Sequence, residues 1–120
     1  MKLAYITGAT KGIGRSTAIT FANAGWDLIL LSRDYQMMVE LRDELSDTKS
    51  TINLVKCDLS NAYDMENSIK KSIDKYGCPS VLINNAGCAF NGKLVEMPLK
   101  KWQEIIQTNL TSVFQLCSLI

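Results

Sequence analysis

The sequence predicts an α/β domain: a doubly wound parallel sheet with four strands and helices on both faces. Short apolar runs alternate with helix-periodic segments four times along the chain. No repeat, low-complexity tract or linker interrupts them. A chain of 120 residues is enough for one domain and too short for two.

Lys2 to Thr7 is a short apolar run that stops at Gly8, as a buried strand would. Ile13 to Ala24 reads as a helix, with Ile13, Thr17, Phe21 and Ala24 on or near one face and Gly25 to end it. Asp27 to Ser32 is the second strand. In Tyr35 to Leu45, Met38, Leu41 and Leu45 fall at helical spacing. Thr51 to Cys57 is the third strand, entered after a polar stretch. Asn61 or Ser60 caps the next helix, whose stripe is Ala62, Met65, Ile69, Ile73 and Tyr76, and Gly77 and Pro79 stop it. Ser80 to Ile83 is the fourth strand, and a loop with two glycines opens at Asn84. The last helix begins near Pro98. Its apolar face is read as Trp102, Ile105, Ile106, Asn109, Leu110, Val113, Phe114 and Cys117.

Ligands of such sheets bind beyond the carboxyl ends of the strands, where strand order reverses. Function is therefore expected at residues 7 to 14, 32 to 34, 57 to 59 and 84 to 90.

Bulk composition narrows the chemistry. Net charge is +1, from thirteen basic and twelve acidic side chains, so no long-range field gathers nucleic acid or an anionic membrane. Any anion must be caught by local geometry. The four cysteines have no metal-binding or C-x-x-C spacing, and histidine is absent, so no metal site is expected. Without a signal segment or a bilayer-length apolar run, the cysteines read as reduced thiols of a cytoplasmic protein.

The first strand runs into Thr7-Gly8-Ala9-Thr10-Lys11-Gly12-Ile13-Gly14. Glycine at Gly8 permits a sharp turn, at Gly12 a close approach to a pyrophosphate, and at Gly14 tight helix-on-sheet packing. The helix N-terminus adds free N–H groups and partial positive charge. A strand-to-helix turn with unrelated glycines is the plainer reading, and the strand before and helix after favour phosphate binding.

At the end of the second strand stand Ser32, Arg33 and Asp34. An NAD site normally has an acidic group here for the ribose 2′-hydroxyl. Arg33 can instead meet a 2′-phosphate with a planar fork of donors, Ser32 can add a hydroxyl, and Lys11 a second cation. NADP is favoured, and Asp34 leaves NAD open. Asp58 can accept from an adenine amino group while the Leu59 N–H donates to the ring, or Asp58 can cap the helix near Asn61. Asn84-Asn85-Ala86-Gly87 can admit a nucleotide against the backbone or form a polar turn. Asn109, on an apolar face, requires a specific hydrogen-bond partner.

Together T-G-x-x-x-G-x-G at 7–14, D-L at 58–59, N-N-A-G at 84–87 and T-N-L at 108–110 resemble the short-chain dehydrogenase/reductase family, in its order and spacing, over the whole chain. The resemblance implies a Rossmann-like domain over residues 1–120. It puts Gly8, Gly12 and Gly14, with Thr7, Thr10, Lys11 and Ile13 around them, at the pyrophosphate loop. Asp58 and Leu59 go to the adenine, and Asn85, Ala86 and Gly87 to the ribose and cofactor cleft. Lys11 and Arg33 resemble the basic residues of NADP-preferring members. Asn109 matches the asparagine of the catalytic tetrad, whose backbone helps hold a water in the proton relay.

The rest of the tetrad is a serine and a Tyr-x-x-x-Lys. Tyr5, Tyr35, Tyr63 and Tyr76 are followed four residues on by Ala9, Val39, Asn67 and Ser80, so no such motif is present. Family chains are roughly double this length, so the sequence is expected to be an amino-terminal half, truncated before a fifth strand. On that expectation the fourth strand is left as a sheet edge, and the face bearing Trp102, Ile106 and Phe114 is exposed. The leading function is an NADP-dependent oxidoreductase acting on a small-molecule carbonyl/alcohol pair and forming a homo-oligomer at full length. The alternative is a non-catalytic nucleotide-binding fragment or NADP-sensing module. Turnover by the 120 residues alone is expected to be absent or very weak.

Overall fold

The computed structural model describes residues 1–120. Strands β1 (Leu3–Thr7), β2 (Asp27–Ser32), β3 (Ile52–Lys56) and β4 (Val81–Ile83) form one parallel sheet in the order β3-β2-β1-β4. After β1 the chain adds β2 and β3 on one side, then crosses back to place β4 on the other. Strand order therefore reverses between β1 and β4, which opens a crevice beyond their carboxyl ends.

Alternation along each strand feeds two cores. Ala4, Ile6, Leu28 and Leu30 pack against Ala18 and Ala22 of α1 (Gly12–Asn23) and Met38 and Leu41 of α2 (Tyr35–Glu44). Leu3, Tyr5, Ile29 and Leu31 meet Met65 and Ile69 of α3 (Ala62–Tyr76) and Leu116 of the last helix on the opposite face. Fully burying one leucine or isoleucine contributes about 1.5–3 kcal/mol. β1 and β2 are buried on both faces, so they hold the sheet together, while all three residues of the edge strand β4 are only half-buried. In the second core the Tyr5 hydroxyl donates to the Gly77 carbonyl and accepts from Ser72 Oγ, both at 3.0 Å. Burial raises the Tyr5 pKa.

The expected strands and helices are present, and Asn61, not Ser60, caps α3 by accepting from the Asp64 N–H at 3.0 Å. Two predicted faces are corrected. In α1 the packed residues are Gly14, Ala18 and Ala22, while Ile13 is 79% exposed. Small side chains let that helix lie close to the sheet, so smallness decided the inward face where hydrophobicity had pointed to Ile13.

The last helix comprises α4 (Leu99–Ile106), a π segment (Gln107–Thr111) and α5 (Ser112–Leu119). The Ser112 N–H reaches back five residues to the Gln107 carbonyl, and Ser112 Oγ donates to the Thr108 carbonyl at 2.6 Å. The extra residue in that turn shifts the stripe, so Ser112 and Leu116 turn inward and are buried, while Val113 is only half-buried. Trp102 (49%) and Phe114 (71%) are exposed as anticipated, and Ile106 is half-buried. No helix is long and apolar enough to cross a membrane.

Candidate functional site

The crevice at the switch point is a cleft of about 990 Å³. The glycine loop, the ends of β2 and β3, the loop after β4 and one face of α4 line it. That volume lies at the upper end of the range for small-molecule and cofactor sites.

The loop after β1 is positioned by a knot of hydrogen bonds. Thr7 is buried, and its hydroxyl accepts from the N–H groups of Asn85 and Ala86 at 3.0 Å each while pointing toward the Ile83 carbonyl at 3.4 Å. The Asn85 side-chain amide donates to the carbonyls of Thr7 (3.2 Å) and Gly8 (3.0 Å). Gly8 turns at φ +63°, which costs an L side chain about 1–2 kcal/mol. A Cβ on Gly14 would stand 2.2 Å from the Gly8 oxygen and 2.3 Å from Asn85 Nδ2, so only glycine lets α1 start this close to the turn.

Helices α2 and α3 are capped by Asp34 and Asn61, whereas Lys11, at the N-cap of α1, makes no side-chain cap. The first-turn N–H groups of α1 are thus left for an anion. Gly8, Thr10 and Lys11 line the cleft, with Thr10 buried and Lys11 exposed. Thr7 and Gly14 lie beneath it as supports. Gly12 turns at φ +53° with open space around it, and the Ile13 side chain faces solvent outside the cleft lining.

At the end of β2, Ser32 and Arg33 both line the cleft, Ser32 half-buried and Arg33 exposed. Arg33 and Lys11 take part in no ion pair. Asp34, the candidate ribose ligand, accepts from the Met37 N–H at 3.0 Å and so caps α2. Its own N–H donates to Ser32 Oγ at 3.2 Å, which leaves the serine proton to give elsewhere.

After β3, Asp58 does not cap α3. Its Oδ1 accepts from the Ser60 N–H (3.0 Å) and Ser60 Oγ (2.7 Å), which holds the carboxylate at the cleft wall beside the buried Leu59. The preceding Cys57 is buried. That burial, with the Asp64 and Asp58 carboxylates nearby, pushes its thiol up to about 12.

Asn109 is exposed rather than buried, and its need for a partner is met. Oδ1 accepts from the Cys88 N–H at 2.9 Å and Nδ2 donates to the Cys88 carbonyl at 2.8 Å. The pair clamps the loop backbone just past Ala86 and Gly87, two residues that line the cleft. Asn109 lies within the π segment and not in the cleft lining itself.

Sequence reasoning missed Lys56, Lys101, Glu104 and Thr108, all on the cleft wall. Lys56 is the last residue of β3, one position before the stretch 57 to 59 in which function was expected. Lys101, Glu104 and Thr108 share a helix face, and nothing in the sequence says that this face returns over the sheet. Lys101 and Glu104 form an ion pair at 3.8 Å.

A family model described as short chain dehydrogenase matches residues 2–120. The chain is 33% identical over 121 residues to a 3-oxoacyl-[acyl-carrier-protein] reductase of Synechocystis sp., covering 98% of this chain and 47% of that protein. Its fold superposes on a bulky-bulky ketone specific alcohol dehydrogenase from Comamonas testosteroni with a TM-score of 0.91 and 30% identity, covering 99% of this chain and 48% of the other. A short-chain dehydrogenase from Sphingobium yanoikuyae, solved in complex with NADPH, matches with a TM-score of 0.90 and 28% identity over 99% of this chain and 46% of the other. The chain spans about half the length of the curated relatives it matches. With the switch-point cleft, the glycine loop and a match from one end of the chain to the other, this protein belongs to the short-chain dehydrogenase family.

Proposed function

We propose that these 120 residues form the NADP(H)-binding part of an oxidoreductase acting on a small-molecule carbonyl/alcohol pair. The observation that carries the proposal is the arrangement at the end of β2. Arg33 is in no ion pair, Ser32 has a proton to donate, and the carboxylate that follows them in the chain, Asp34, is committed to capping α2.

The donor set fits the dinucleotide. Gly8 and Gly14 let the turn and α1 pack tightly against Asn85 and Ala86, Gly12 leaves open space for a pyrophosphate, and the uncapped start of α1 offers it Gly12, Ile13 and Gly14 N–H groups. Asp58 and Leu59 would take the adenine edge, and Asn85, Ala86 and Gly87 would face the ribose. When bound, the nicotinamide supplies hydride chemistry. Arg33, Ser32 and Lys11 would hold the phosphate that distinguishes NADP from NAD. Asn109 spends its side chain on Cys88 and acts as a positioning residue, its helix backbone serving the proton relay. The exposed Trp102, Leu110 and Phe114 support pairing of this helix with a second copy at full length.

The test is a fluorescence titration of the protein with NADPH and NADH. A bidentate charge-assisted contact contributes about 1.5–3 kcal/mol, so NADPH should bind at least about tenfold more tightly. Equal affinities, or tighter NADH, would overturn the cofactor assignment. The lack of a Tyr-x-x-x-Lys in these residues favours, as a second reading, a module that binds the nucleotide without turning it over. Steady NADPH oxidation with a ketone is expected to be absent or very weak from the 120 residues. Observing it at high purity would exclude that second reading.

A further inference from the structure

Lys56 ends β3 and stands in register with Ser32, which ends β2. Registered residues of neighbouring parallel strands project to the same face of the sheet. Arg33 follows Ser32, and Arg33 and Lys56 share a smaller pocket of about 280 Å³ at the rim of the cleft with Asp58 and Asp64. Both cations also line the main cleft, and neither makes an ion pair. The two carboxylates have partners of their own. Asp58 accepts from Ser60, and Asp64 Oδ2 accepts from the Asp58 N–H at 3.2 Å.

Resting on the NADP reading above, we propose that Lys56 is a specificity-determining residue for the cofactor. Its ammonium closes on the 2′-phosphate from the β3 side while Arg33 holds it from the end of β2. A phosphate monoester presents three acceptor oxygens and a charge of about −1.5 to −2 at pH 7. One planar guanidinium fork satisfies two of those oxygens and only part of that charge. Lys11 comes to that phosphate from the glycine loop, and Lys56, exposed and without an ion pair at the end of β3, meets the side that Arg33 and Lys11 leave open. A 2′-hydroxyl gives Lys56 no anion to meet, so the ammonium favours one cofactor over the other.

Wild type, Lys56→Gln and Lys56→Arg are titrated with NADPH, NADH and adenosine 2′,5′-bisphosphate. Lys56→Gln should weaken NADPH and the bisphosphate by about tenfold and leave NADH within about twofold, the loss of one charge-assisted contact. Lys56→Arg should retain most of the NADPH affinity, because the charge is kept. If wild type prefers NADPH and Lys56→Gln binds it equally well, the role of Lys56 is overturned and the NADP reading stands. Equal losses for NADPH and NADH would make Lys56 merely structural and overturn the proposal too. A wild type without preference for NADPH overturns both readings at once.

Discussion

The side-chain amide of Asn85 donates to the backbone carbonyls of both Thr7 and Gly8, at 3.2 and 3.0 Å. Two loops that are remote in sequence are thereby one unit: the loop after β4 holds the glycine turn that the cofactor reading relies on. Thr7 returns the contact through its hydroxyl, which accepts from the Asn85 and Ala86 N–H groups.

Asn85→Ala should therefore cost stability and ligand affinity together. Leaving two part-buried carbonyls unpaired destabilises by about 1–3 kcal/mol, enough to lower the melting temperature by several degrees. NADPH affinity should fall as the loop loosens. Asn84 is exposed and makes only a 3.7 Å contact to Cys117 Sγ, so Asn84→Ala serves as the neutral control. Thermal melts of both variants check the difference. Equal melting temperatures would show that Asn85 does not brace the turn.

Gly14→Ala and Gly12→Ala separate steric from dihedral demands. At Gly14 the added Cβ would meet backbone at 2.2 Å, so the start of α1 must move, at about 3 kcal/mol or more. At Gly12 nothing lies within 4 Å, and the cost is the left-handed φ of +53°, about 1–2 kcal/mol. Urea denaturation should rank Gly14→Ala below Gly12→Ala, and the reverse order would contradict the close packing of α1.

Removal of the Asp34 carboxylate tests whether it serves the helix or a ribose. Asp34→Ala should destabilise the protein by about 1 kcal/mol, and Asp34→Ser should restore most of it as an alternative cap. Neither should change the ratio of NADPH to NADH affinity. A selective loss of NADH binding in Asp34→Ala would return the carboxylate to the ribose.

Cys57 should make stability fall in alkali. Its thiol is raised from an ordinary 9.0 to about 12 by burial and by the Asp64 and Asp58 carboxylates. Above pH 9 the unfolded chain releases this proton while the folded one retains it. The thiol's contribution is complete below pH 9 and is lost as pH rises toward 12, with a slope of at most about 1.4 kcal/mol per pH unit. Cys57→Ala should flatten the stability profile between pH 9 and 10, below the range where the buried Tyr5 begins to add its own loss. In native protein at pH 8, alkylation read by mass spectrometry should reach the exposed Cys78 and Cys117 and spare Cys57.

Much of the fold could be read along the chain because its signals are local. Apolar runs of strand length, Asn61 as a cap, and glycine where β1 turns at Gly8 each follow from neighbouring residues. The same holds for Ser32 and Arg33, which stand at a strand end by count alone. Periodicity also marked α1 and the last helix as helices, though not the faces they bury.

Which face is packed was decided elsewhere. Gly14, Ala18 and Ala22 face inward because the sheet and Asn85 lie against them, and no local preference outweighs a backbone contact of that kind. The π segment at Gln107–Thr111 shifts the last helix by a residue and leaves Asn109 exposed to clamp Cys88, an outcome that ideal helical spacing cannot anticipate. Lys56 belongs to the site only through the register that sets β3 beside β2. The sequence by itself determined the order and kind of the elements and the glycine loop, since those depend on neighbours along the chain. The tertiary structure alone decided which side chains converge on the cleft, since convergence depends on residues that meet only when the sheet has assembled.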